Sequence, residues 1–392
     1  MHKKTLVSYF IVVFVNMITL KLGFWDFDFG DYSVQMKNLL SGHFFLDKGQ
    51  IIHRYPPLTS LLYAIFIKIF HSKILSIFIF HNLLAILVLF FGKKIINLFV
   101  KTESFFLGNL DILLILNPFV YSFVLRGVNS ELIFIFFNMF VLYYSIKLCT
   151  FKIRLNKHIF IIALVIGLAI LTRSQGIALL ISTSVFLFVF KKYKSSVLIL
   201  LYSILTILPW QIYLESKDHF KFNTIISSGG LYSFRDGLTF NNKTFRTKIK
   251  LPDEIEDFSS EFYKRYYLEK NQTNSEYKFT VTRFQQSPSL LIKLVIFKFS
   301  RCFYGTDSQN EKIELINKFI VSFFILFNLY IFFNLNNMSN DYKYIFLLLI
   351  FYLIMTVLMS VLALSILRYQ IPVFVLILTL DLAFLSNHYG KK

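Results

Sequence analysis

Apolar runs of about twenty residues, the length that crosses the hydrocarbon layer of a bilayer as a helix, alternate with short polar breaks along most of the chain. They fall at 5–24, 74–92, 104–121, 131–148, 158–171, 177–190, 195–214, 315–335, 344–364 and 370–386. The pattern predicts an all-α polytopic membrane protein with about ten transmembrane helices. Two further apolar segments do not fit as crossings. Leu58–Phe70 is too short, stands between Pro56-Pro57 and His71-Ser72-Lys73, and predicts a re-entrant or interfacial helix. Ser289–Tyr304 is interrupted by Lys293, Lys298 and Arg301 and predicts an interfacial helix opened by Pro288. The runs 158–171 and 177–190 are short and meet at Thr172-Arg173-Ser174-Gln175-Gly176, so an arginine is embedded at their tip, where a local cavity open to water or headgroups is expected.

The polar segments are unequal. Residues 215–287 carry twelve basic and ten acidic side chains, with a helix-like stretch at 253–270. That segment is too patterned for a linker. The chain 1–392 therefore reads as one transmembrane domain with two elaborations on the same face, a first loop at 25–73 and a larger loop at 215–312 that includes the interfacial helix.

Charge sets the orientation. The formal net charge is +19 with 56% hydrophobic residues. The excess sits in clusters at span ends: Lys3-Lys4, Lys93-Lys94 with Lys101, Lys152 to Lys157, Lys191 to Lys194, and Lys391-Lys392. That is the positive-inside distribution, which places both termini in the cytoplasm and both loops outside. Nucleic acid is excluded as a partner on the same ground. The first span lacks a small-residue cleavage site and reads as a retained anchor. Cys149 and Cys302 fall on opposite faces and do not pair.

Candidate chemistry gathers on the outer face. Directly after the first span the chain reads WDFDFGDYS, with Asp26, Asp28 and Asp31 inside six residues, and later Arg54-Tyr55-Pro56-Pro57. Arg126, Glu131, Arg173, Arg368 and Tyr369 begin or end spans on that face. Guanidinium groups at headgroup depth match the oxygens of a lipid phosphate, and a neighbouring carboxylate can act as general base toward a hydroxyl or amine. Plainer roles stand beside these: Asp26 and Asp28 as solvating groups or helix caps, Glu131 as a helix N-terminal charge, Arg54 and Arg126 as snorkelling side chains, Arg173 as a counter-ion. Asp111 and Asp381 lie inside spans, where inter-helix hydrogen bonding is the expected role. The histidines do not form a metal-ligand spacing and no structural zinc is expected. A divalent cation bridging Asp31 and a phosphate is compatible with the sequence.

Taken in order along the chain, several short motifs resemble the GT-C class of integral membrane glycosyltransferases, in the branch of the lipid A aminoarabinose transferases and protein O-mannosyltransferases. They are Asp31-Tyr32 with Ser41-Gly42, Tyr55-Pro56-Pro57-Leu58, Asn117-Pro118, Glu131 opening a span, Leu171-Thr172-Arg173, Pro209-Trp210 closing one, Ser227-Ser228-Gly229-Gly230, and Arg368-Tyr369 with Pro372. The resemblance implies a GT-C fold and an inverting transfer of sugar from a polyprenyl-phosphate-linked donor to a glycan, lipid or protein acceptor of the cell envelope. It implies a bacterial inner membrane with the site facing the periplasm or exterior. It makes Asp31 the catalytic base, with Asp28 as the alternative, and Glu131 the second acid. It assigns the donor phosphate to Arg368; Tyr369, Arg54, Tyr55 and Arg173, on the same outer face, are read as further phosphate-binding residues. The chain departs from the family pattern in having Tyr32 where a second adjacent acid is frequent. The 215–287 loop must then supply acceptor recognition, because the chain ends at its last span.

Two other classes compete. A glycan polymerase of the O-antigen type shares the polytopic architecture and large outer loop, and uses diphosphate-linked oligosaccharides. A lipid-linked-sugar flippase or other transporter would carry ionisable groups near mid-bilayer, whereas the charge here lies at the rim.

Overall fold

A computed structural model of the chain describes residues 3–27, 32–47, 50–51, 55–100, 111–150, 155–218, 253–258, 260, 285–306, 310–335, 339–362 and 366–389. These residues are almost entirely helical. The helices are α1 (Lys3–Lys21), α2 (Ser33–Leu40), α3 (Pro57–Phe70), α4 (Lys73–Phe99), α5 (Leu113–Leu116), α6 (Pro118–Leu125), α7 (Glu131–Thr150), α8 (Leu155–Thr172), α9 (Gly176–Val189), α10 (Tyr193–Asp218), α11 (Pro288–Arg301), α12 (Glu311–Phe333), α13 (Asn340–Leu362) and α14 (Ile371–Tyr389). A two-stranded antiparallel ladder pairs Leu46 with Ile51 and Asp47 with Gln50. Among the described residues, five helices are long and apolar enough to cross a membrane: α4, α7, α10, α12 and α13. Stretches of α1, α3, α8, α9 and α14 are apolar but shorter. Phe319, Phe323 and Phe333 of α12 are each at least 70% exposed, as suits helices whose solvent is lipid. The architecture is that of an integral membrane protein.

The element boundaries have local causes. Pro57 stands at the first turn of α3, where its missing N–H costs nothing. Ser72 caps α4, accepting from the Leu75 N–H at 3.4 Å. The run at 74–92 is longer than the sequence pattern suggests: α4 continues to Phe99, about 40 Å of helix. The run at 104–121 is not one helix in its described part. It breaks at Asn117-Pro118, because proline holds the preceding residue extended (Asn117 φ −64°, ψ 143°) and cannot donate. Asn117 exploits the break by capping α6, accepting from the Val120 N–H at 3.0 Å. Pro209-Trp210 does not close a span either: α10 runs through Pro209 to Asp218. Of the expected 253–270 helix, residues 253–258 are helical and the rest, 260 apart, lies outside the described residues.

The chain groups into two compact units, 1–228 with 331–353 and 371–392, and 229–330 with 354–370. In the first, α4, α7, α8, α10 and α14 form the packed centre. Helices α8 and α10 meet at Gly167, where a Cβ would lie 2.5 Å from the Thr206 Cβ. The Ser203 hydroxyl donates to the Ala163 carbonyl at 3.0 Å across the same seam. Small residues and hydroxyl donors are the means by which membrane helices approach closely. Asp111 behaves as expected of a buried acid, accepting from the Ser8 hydroxyl of α1 at 3.0 Å.

In the second unit, α11 is amphipathic in an inverted sense. Ile292, Val295, Ile296 and Phe299 form its exposed stripe, while Leu294, Lys298 and Arg301 are buried. Two of the three cations that interrupt the apolar run, Lys298 and Arg301, thus face protein. Arg301 forks onto Glu314 of α12, with Nη2 to Oε1 at 3.0 Å and Nη1 to Oε2 at 3.2 Å, the bidentate geometry of a strong pair. Burial pulls the Lys298 ammonium down to about 7. Exposed Lys293 pairs with Glu254 at 2.6 Å, and Ile255 packs on Leu294. Both cysteines are free thiols.

Candidate functional site

Glu131 is the first residue of α7, and a turn at Gly127-Val128-Asn129-Ser130 delivers it. That turn is held from three sides. The Asn129 amide donates to the carbonyls of Phe123 (3.0 Å), Gly127 (3.1 Å) and Arg126 (3.2 Å). The Tyr63 hydroxyl of α3 lies 3.2 Å from the Asn129 carbonyl and 2.6 Å from His81 Nε2. His81 Nδ1 lies 2.8 Å from the Val124 carbonyl. Because a carbonyl only accepts, the proton belongs on Nδ1 and Nε2 accepts from Tyr63; the tautomer follows from its partners. Burial holds the Tyr63 phenol above its ordinary range, which keeps it a neutral donor.

Arg173 ends α8, its own N–H bonding back to the Ala169 carbonyl at 3.0 Å. A tight turn follows, with the Gly176 N–H donating to the Arg173 carbonyl at 2.9 Å. The guanidinium points inward. Its Nη1 donates to Glu131 Oε1 and, at 3.1 Å, to Ser130 Oγ, while Nε donates to Gln175 Oε1 at 3.1 Å. Glu131 is 0% and Arg173 8% exposed. The result is a buried ion pair with a polar collar, at the end of α7 where the helix dipole also favours the carboxylate. Gly176 leaves room for this turn: a Cβ there would stand 2.6 Å from the Ile170 backbone nitrogen. Gly176→Ala is expected to lower stability by about 1–3 kcal/mol, the cost of overpacking. Detergent-solubilised unfolding curves that coincide with wild type would contradict the crowding.

The first loop is fastened beside both partners of this pair. At its start, the Asp26 N–H donates to the Leu125 carbonyl (3.0 Å) and the Gly127 N–H donates to the Asp26 carbonyl (2.7 Å). Buried Trp25 stacks on Phe27 at 5.4 Å and bonds Thr19 through its indole N–H. Further on, the buried Tyr32 hydroxyl donates to the Thr172 carbonyl at 3.2 Å, one residue before Arg173. Tyr32 also packs on Tyr55, with ring centroids 5.0 Å apart. Gln35 donates to the Tyr55 carbonyl at 3.0 Å and accepts from the Ser60 hydroxyl at 2.8 Å, which locks α2 to α3. Phe45 then seats against Trp210 and Leu214 of α10, with Leu171 beside it.

Of the residues singled out in the sequence, Glu131 and Arg173 are brought together, and Tyr55 stands half-buried against Tyr32. Asp28, Asp31 and Arg54 lie outside the described residues. Asp31 adjoins Tyr32, so its sequence neighbour is anchored next to Arg173. Arg368 and Tyr369 belong to the second unit, in a 3₁₀ turn Leu367–Tyr369 fastened by the Leu367 N–H to the Gly305 carbonyl at 2.9 Å. Sequence reasoning missed Tyr63, His81, Asn129 and Gln175. The only signal was a histidine and a tyrosine inside strongly apolar runs. Among the described residues no three His, Cys, Asp or Glu side chains are grouped to hold a metal ion. No protein-family model, no curated protein and no solved structure matches the chain.

Proposed function

We propose that this protein is a membrane glycosyltransferase of the GT-C type, with about ten crossings and its site on the outer face of a bacterial inner membrane. It transfers a sugar from a polyprenyl-phosphate donor to a glycan, lipid or protein acceptor of the envelope. The observation that carries the reading is the fastening of the first loop. Asp26 is bonded to the turn that leads to Glu131, and Tyr32 is bonded to the residue before Arg173. A loop built only to connect two helices has no need of a buried ion pair beneath it. An acid that must be aimed at a reacting centre does, because general-base catalysis depends on geometry first.

In this mechanism Asp31 takes the proton of the acceptor hydroxyl or amine. The acceptor atom bonds to the anomeric carbon from the face opposite the phosphate, the carbon–oxygen bond to the phosphate breaks, and the polyprenyl phosphate leaves with the electron pair. Inversion follows from the opposed faces. Arg368, which the family resemblance assigns to the leaving phosphate, stabilises the developing charge there, helped by Tyr369, Arg54 and Tyr55. Arg173 enters chiefly through Glu131: the pair is the rigid floor on which the loop is set. A divalent cation at Asp31 is compatible with this scheme and no step depends on it.

The test is mass spectrometry of polyprenyl-linked sugars in cells lacking the protein. A polyprenyl monophosphate sugar is expected to accumulate and to clear on complementation, which also names the donor. Accumulation of a diphosphate oligosaccharide instead would make the protein a polymerase. Unchanged pools, with transport of a labelled lipid-sugar across vesicles, would make it a transporter.

A further inference from the structure

A second feature of the first unit lies at the other end of α7, sixteen residues from Glu131 and hence about 24 Å along the helix axis. Helices α4 and α7 pack side by side there, and the partly open aromatic seam where they meet is here called a gutter. Phe91 is its buried floor, 5.1 Å from Phe140 and 5.7 Å from Tyr143 by ring centroids. On α7 the half-buried positions Phe136, Phe140, Tyr144 and Lys147 recur along one edge of the otherwise buried stretch Glu131–Leu148. On α4 the stripe Leu83, Leu87, Phe90 and Lys94 is likewise partly open. His158 of α8 stacks on Tyr144 at 5.7 Å and walls the gutter at its polar end.

Both stripes finish in a lysine, and both ammonium groups are drawn onto the same ring. Lys94 Nζ lies 4.3 Å from the Phe90 centroid and 5.5 Å from that of Tyr143. Lys147 Nζ lies 4.9 Å from Tyr143. The two charges are therefore within about 10 Å of each other, about the distance over which salt screens exposed charges. Cation–π contact attracts each ammonium but neutralises neither, so two like charges stand close to one ring. An anion held between them relieves that repulsion. An aromatic gutter running down from the charges suits an acyl chain.

We propose that the α4–α7 gutter is a binding site for an anionic phospholipid of the surrounding membrane, its phosphate between Lys94 and Lys147 and one chain along Phe140 and Phe136. The lysines near span ends also set topology. A purely topological role requires only that they be positive on the correct side. It does not require two of them on one tyrosine at the head of an aromatic track. The site is independent of the proposed transferase chemistry.

The experiment is native mass spectrometry of the detergent-purified protein titrated with phosphatidylglycerol or with phosphatidylcholine of the same chains. Wild type is expected to retain phosphatidylglycerol preferentially. Lys94→Gln/Lys147→Gln should lose roughly thirty-fold in that affinity, the change expected when two cations leave an anionic lipid surface, and Lys94→Arg/Lys147→Arg should keep it. As a second readout that leaves both lysines in place, Phe140→Trp should be quenched more strongly by brominated phosphatidylglycerol than by brominated phosphatidylcholine. Equal retention of the two lipids by wild type, unchanged phosphatidylglycerol binding by the double glutamine variant, or equal quenching by both brominated lipids would overturn the site.

Discussion

Arg173→Ala is expected to destabilise the first unit by about 3–5 kcal/mol, the cost of stranding one partner of a buried ion pair. The magnitude follows from what the substitution leaves behind. Glu131 has no exposed surface, so without the guanidinium its carboxylate is held in a low-dielectric site or must take up a proton. Ser130 and Gln175 lose their donor as well. Glu131→Gln alone should cost less, because Arg173 stands nearer the edge of the buried zone and retains Ser130 and Gln175. The informative case is the double variant Glu131→Gln/Arg173→Ala. Removing both charges together is often close to neutral, so the double variant should be more stable than Arg173→Ala. That non-additivity is the mark of a direct pair. Unfolding in detergent with increasing denaturant would read all four proteins. A cost below about 1 kcal/mol for Arg173→Ala, the size of a surface pair, would mean that the two side chains do not meet as described.

How far the sequence foretold this site depends on the kind of information each residue carries. Glu131 opening a helix and Arg173 at the tip of two short ones were legible, because apolar run length and the first charge after it fix where a membrane helix ends. Their union was not. Residues 42 apart in sequence meet through the packing of α7 on α8, and no local pattern encodes a crossing between helices that are apolar nearly all round. The same blindness hid the Tyr63–His81 contact. Periodicity read α3 as an interfacial segment and α4 as a span, and their shared hydrogen bond exists only once both are seated. The 104–121 run departs from a single helix in its described part for a different reason. Its apolar content satisfied the length rule while Pro118 dictated a break, so local stereochemistry should have outranked hydropathy there. Pro209 is the converse: the identical residue type was read as a stop, and α10 continues through it, because a helix packed along its length tolerates the loss of one hydrogen bond. In α11, read from the sequence as an interfacial helix, Lys298 and Arg301 turn inward, Arg301 onto Glu314, and leave the apolar stripe outside, an arrangement that suits a lipid solvent.

Asp31→Asn should reduce turnover by about 10²–10⁴-fold, the contribution of a positioned general base, while leaving the amount of protein in the membrane and its thermal stability unchanged. The substitution keeps the size and one acceptor oxygen of the side chain and removes only its capacity to take a proton at neutral pH. The donor identified from the accumulated pool in the null strain serves as substrate for the purified protein. Loss should appear in kcat, because the donor is held by its phosphate and lipid chain rather than by the base. Asp26→Asn is the matched control. Its backbone carries the bridge to Leu125 and Gly127, which the side-chain change keeps, and turnover within tenfold of wild type is expected. Asp28→Asn separates the two candidate bases: a loss confined to Asp28→Asn moves the proton transfer three residues upstream without disturbing the rest of the mechanism. If both Asp31→Asn and Asp28→Asn turn over within tenfold of wild type, the first loop does not supply the base. The buried Glu131–Arg173 pair beneath it is then a structural staple, and the acid that activates the acceptor must be sought elsewhere.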